Sequence, residues 1–186
     1  MRAFILPLLS LAMALPGLSA TVRQQAPAKP QAATARPNGF RSDFLADLDE
    51  VQDKINRLAA AMPADKYLWR PAPGVRSVSE VYMHIAGGNY FLLTFIGQQP
   101  PSDIPNNLEK VSDKAAVLAE LKRSFEHLRK VVANEPDSDL DKTTNMFGKP
   151  ATHRFVFLTI LNHLHEHLGQ SIAYARMNGV VPPWSE

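Results

Sequence analysis

The chain of 186 residues contains no cysteine, and that absence removes several kinds of chemistry at once. No disulfide can staple the fold, no thiolate can attack a substrate, and no cysteine sulfur can ligate a metal. A surplus of charge is missing too: 20 Lys plus Arg stand against 18 Asp plus Glu, a formal net charge of +2. So even a balance offers no electrostatic basis for binding nucleic acid. Internal repeats and useful lengths of period-two alternation are absent, which leaves little ground for a β architecture.

Residues 1–20 read as an export signal, with Arg2 as the positive start, Phe4 to Leu15 as the apolar stretch, and Gly17, Ser19 and Ala20 as a small-residue exit. Leu18 is an imperfect match to such an exit, so an uncleaved anchor is the alternative. Pro7 and Pro16 break the stretch, which falls short of the roughly 20 residues of a spanning helix, and this favours removal. The expectation is an exported protein, periplasmic or secreted, with no stable membrane span after removal. Residues 21–39 combine Pro, Ala and Gln without large aromatics, the composition of a flexible tether. The folded domain is expected over 40–186, long enough for one hydrophobic core.

Within that domain the pattern is helical. Phe44, Leu48, Val51, Ile55, Leu58 and Met62 recur three and four apart and predict a first helix from Phe40. After a connection rich in proline, Ser77 and Glu80 have the spacing of a capping box and set the start of a second helix near Val78. It runs to Phe95, ends by Gly97, and is apolar nearly all round, so deep burial is expected. A third helix is predicted from about Ser112 to Ala133, with Leu121, Phe125 and Leu128 on its inner face. Thr152 can cap a fourth that carries Phe157, Ile160, Leu164 and Ile172 and ends at Gly179. The expected fold class is all-α, a four-helix bundle, read as antiparallel with its handedness left open by the long connections.

The histidines are the chemistry-bearing residues. His163 and His167 lie one turn apart on one helix face, a spacing that lets two imidazoles reach one ion, although such pairs also occur on ordinary solvated helices. Ile160 and Leu164 nearby turn that face inward, where imidazoles need partners. His84 sits mid-way along the most apolar helix, followed one turn later by Gly87 and Gly88, which remove bulk beside its ring. It reads equally as a metal ligand or as a core histidine bonded to the fourth helix. His165 lies roughly 200° round the helix from the pair and should face out. His153 is too far away for the same ion, roughly 15 Å of rise, and His127 occupies an amphipathic boundary. Glu80 could accept a bond from His84 or act as a base, with its capping role in competition.

NHLHEHLGQSIAYARMNGVVPP resembles the closing segment of DinB/YfiT-like domains, in which a His, a second His four residues on, and x-G-Q precede a Tyr-containing helix and G-x-x-P-P. Upstream, YLWRPAPGVRSVSEVYMHIAGGNYF resembles the family's W-x-P-x-x-G-x-x-S-x-x-E segment leading to its first metal-binding His. The likeness spans about residues 40–184. It implies a four-helix bundle holding one divalent ion, zinc or nickel foremost, on His84, His163 and His167. The outer-shell candidates are Glu80, Glu166 and Gln170. The chain departs from the pattern at Leu168, where many relatives carry Arg, and at Glu166, where they often carry His.

Three imidazoles leave coordination positions for water or substrate. The family's chemistry implies thiol-dependent transfer in some members, but small-thiol cosubstrates are mainly cytoplasmic, so export favours a metal-dependent hydrolase of a small molecule. No catalytic residue beyond the metal ligands can be named. Alternatives are a non-catalytic metal or ligand-binding module, a thiol-dependent transferase, and a purely structural bundle. Apolar outer positions would permit a homodimer.

Overall fold

The structure, a computed structural model, describes residues 39–185. The expected export signal and all but the last residue of the expected tether lie outside the described residues. Four α-helices account for most of what is described: α1 (Phe40–Ala61), α2 (Val78–Phe91), α3 (Lys114–Asn134) and α4 (His153–Met177). Between α3 and α4 stands a short antiparallel hairpin, β1 (Thr143–Met146) and β2 (Lys149–Thr152), with Met146 opposite Lys149. Its four-residue strands are too short for alternation to show in the sequence.

Helix ends follow local chemistry. Ser77 Oγ accepts from the backbone N–H of Glu80 while the Glu80 carboxylate accepts from the N–H of Ser77, a complete capping box. Asp113 and Thr152 cap α3 and α4 by accepting from Ala116 and Phe155. The second helix is shorter than expected, because its final stretch tightens into a 3-10 segment, Leu92–Ile96, closed by Gly97 at a φ of 80°. A tighter coil turns the chain sooner into its long connection.

The apolar stripe of α1, Phe44 through Leu58, is fully covered, and α2 is buried on nearly every side as its composition requires. Burying each such side chain contributes roughly 1.5–3 kcal/mol. Both α1 and α2 pack against α3 and α4. Contacts fix the directions. Phe44 meets Phe157, and Arg57 further along donates to the carbonyl of Pro183, so α1 and α4 run parallel. Lys114 reaches the carbonyl of Met62 while Arg129 pairs with Asp49, so α3 runs opposite to α1. On α2 the early His84 meets His167 and the later Gly88 lies under His163, so α2 opposes α4. The order of directions is therefore up, down, down, up rather than the simple antiparallel alternation expected. The connection between α2 and α3 is long enough to bring the chain back along the bundle. No helix among the described residues is long and apolar enough to cross a membrane.

Candidate metal centre

The opposed α2 and α4 bring His84, His163 and His167 together, one ligand atom from each lying within 4.8 Å of the others. Ring centroids are 5.0, 4.7 and 4.5 Å apart, and the Nε2 atoms of His84 and His163 are separated by 3.2 Å. Gly88 makes this approach possible. A β-carbon there would stand 2.4 Å from Cε1 of His163, closer than packed atoms allow, whereas one at Gly87 would make ordinary contact with Leu108.

Outer partners set which nitrogens face inward. Glu109, on a short turn between α2 and α3, accepts from Nδ1 of His84 at 3.1 Å and is itself gripped by Arg76. A carboxylate can only accept, so the proton of His84 sits on Nδ1 and the Nε2 lone pair points to the cluster. A longer chain fixes His167. Tyr174 donates its hydroxyl proton to the carbonyl of Arg76 at 3.2 Å, and so accepts from Nε2 of Gln170 at 3.1 Å. That leaves Gln170 Oε1 to accept from Nδ1 of His167 at 2.8 Å, and Nε2 of His167 is again free of a proton. Trp69 stacks edge-on against Tyr174 and steadies the chain's far end.

Electrostatics disfavour the charged form of His163 and of His84. Burial, then the neighbouring His167 and His84, then Arg76, hold the His163 imidazole down at about 4. Burial also lowers His84, with Arg76 and His167 adding to it; Glu109 pushes the other way without reversing the shift. Near pH 7 the contact between His84 and Glu109 is thus a hydrogen bond rather than an ion pair. The described protein groups do not satisfy the cluster by themselves: among the described residues the buried Nδ1 of His163 has no hydrogen-bond partner. Two imidazoles whose Nδ1 atoms are held by outer acceptors, His84 and His167, beside a third with an orphaned buried nitrogen are a donor set that fits a borderline-soft divalent ion.

Not every expected outer residue is near. Glu80 is held by Ser77 and Arg70 at the start of α2, so its capping role prevails over contact with His84. Glu166 is exposed on the outer side of α4, because one residue back from His167 is about 100° round the helix. Gln170 is the one of the three candidates that bonds a histidine of the cluster, through Nδ1 of His167. His165 is exposed and meets Asp47, and His153 pairs with Glu135 beside the start of α4. His127 sits half-buried on α3 beside Tyr90. Glu109 and Arg76 were not foreseen: both lie in irregular segments where no periodicity marks an inward face.

His84 and His163 line a cleft of about 660 Å3 together with Phe91, Leu108 and Phe147. A family model, the DinB superfamily, matches residues 47–171. Among solved structures the chain is similar to a DinB-like protein from Bacillus cereus, at 17% identity and a TM-score of 0.65, covering 77% of this chain and 95% of that one. A second DinB-like protein, from Bacillus subtilis, has 20% identity and a TM-score of 0.59, with coverage of 77% and 94%. YfiT from Bacillus subtilis, described as a probable metal-dependent hydrolase with an unusual four-helix bundle topology, shares 16% identity at a TM-score of 0.59 over 83% of this chain and 95% of its own. No curated protein matches the chain.

Proposed function

The chain belongs to the DinB superfamily, and from that premise we propose that it is an exported hydrolase of a small molecule, dependent on one divalent ion, zinc or nickel, held by His84, His163 and His167. The observation that carries this reading is the trio of nitrogens within 4.8 Å, two with their lone pairs turned inward by Glu109 and Gln170. The description of YfiT as a probable metal-dependent hydrolase supports the reaction class. The composition of residues 1–20 supports export.

An ion bound there supplies Lewis-acid chemistry, polarising a carbonyl group and making water acidic near neutral pH. The chain's own residues prepare the place for it. Glu109 orients His84 and keeps its proton on Nδ1; Gln170, fixed by Tyr174, does the same for His167. Burial keeps His163 unprotonated at neutral pH, and the apolar walls limit water around a bound substrate. Turnover of esters, amides or lactones after zinc or nickel is restored, lost in His84→Ala, is the expected result.

One observation favours a second reading, a binding module without catalysis. Glu109 is the carboxylate among the described lining residues of the cleft, and it is committed to His84 and Arg76 rather than free to act as a base. Tight metal retention with no turnover on any panel would favour that reading, and turnover that needs a small thiol would instead indicate a transferase.

A further inference from the structure

Beyond the histidines the cleft changes character. Phe91, Leu92, Ile104, Leu108 and Phe147 line it, Asn106 and Asn107 are its uncharged polar residues, and no Lys or Arg stands among the described lining residues. Phe91 is 53% and Phe147 63% exposed, although their rings touch each other and both touch Phe95, with centroids 4.7–6.1 Å apart. An exposed aromatic cluster at the mouth of a polar site marks a surface that something covers. The size suits a small-molecule site, which is commonly on the order of 300–1,000 Å3.

Phe147 is placed there against local preference. It occupies the first position of the two-residue turn between β1 and β2 with a φ of 51°, followed by Gly148 at 79°. Turns of this kind favour Asn-Gly, because a bulky L-residue is strained in the left-handed region. Strain of this sort gathers at functional positions. The hairpin is tied to the 3-10 segment after α2, since Thr144 donates its hydroxyl to the carbonyl of Phe95, and its turn is closed by Asn145, which accepts from the N–H of Gly148.

Resting on the metal reading above, we infer that the substrate is a neutral amphiphile, a small metal-binding polar group joined to an uncharged alkyl or aryl portion that lies against the joined rings of Phe91 and Phe147. Apolar burial against these rings supplies affinity for the tail. With no cationic side chain among the described lining residues, a carboxylate at the tail's end would lose its hydration unmatched.

Two probes test this on the full chain as purified. N-phenyl-1-naphthylamine, neutral and aromatic, should brighten with the unaltered protein and lose most of its affinity with Phe91→Ala and with Phe147→Asn, which suits the turn. With zinc restored, a hydroxamate series from acetyl to decanoyl should bind more tightly by up to about fourfold per methylene. The decanoyl-to-acetyl ratio should collapse in Phe147→Asn, and an ω-carboxylated tail should gain nothing over acetyl. A flat series in the unaltered protein, or equal probe binding and equal slopes in all three proteins, would overturn the inference. If no hydroxamate binds while the naphthylamine remains sensitive to Phe147, the apolar subsite stands and the metal reading fails.

Discussion

A β-carbon on Gly88 would lie 2.4 Å from Cε1 and 2.9 Å from Nδ1 of His163, so at this position one methyl group competes with an imidazole for the same space. Alanine favours a helix over glycine by up to about 1 kcal/mol. Gly88→Ala should therefore leave unfolding of the metal-free protein nearly unchanged while metal affinity, read by competition with a chromogenic chelator, falls sharply; unchanged affinity would show that His163 need not hold its place. Glu109 acts differently, through the proton it fixes on His84. Removing an outer partner of a ligating histidine typically costs about 10–100-fold in metal affinity, and Glu109→Ala should lose that much in the same assay. Glu80→Ala should leave metal affinity intact, since that carboxylate faces Ser77 and Arg70.

The second helix carries the site's first histidine, and its start is fixed by the capping box of Ser77 and Glu80. Ser77 is fully buried, and replacing such a cap by alanine costs about 0.5–2 kcal/mol. Ser77→Ala should lower the urea midpoint accordingly without changing metal stoichiometry, because the bundle contacts that hold His84 lie further along α2. This helix was readable from the chain because its cap, its apolar composition and the glycines behind His84 are all local signals. The same holds for the four-residue spacing of His163 and His167. Glu109 and the hairpin were not readable. Glu109 sits in an irregular connection and gains its role from a residue 25 positions away, and strands of four residues carry too few alternations to stand out. Helix direction was equally hidden, because periodicity tells which face is buried but not which end of a neighbour it meets.

Across the whole molecule, the cluster links stability to pH and to metal. The His163 imidazole is held at about 4 in the folded state against an unfolded value near 6.5. Between those values the unfolded chain binds the extra proton, so this group's contribution is fully present above about pH 6.5 and is lost as pH falls toward 4. Thermal unfolding of the metal-free protein should accordingly shift to lower temperature across that window, and the shift should shrink in His163→Gln. A bound ion adds stability by mass action, about 2.7 kcal/mol at a free concentration 100 times its dissociation constant, and protons should erode that gain over the same acid range because they compete for the same nitrogens. Whether one ion sits on three imidazoles is decided by metal analysis of protein purified without chelator, beside His163→Ala and His167→Ala. Close to one divalent ion per unaltered chain and a strong loss in both variants are expected; full occupancy in both variants, or no metal retained by the unaltered protein, would rule the three-histidine site out.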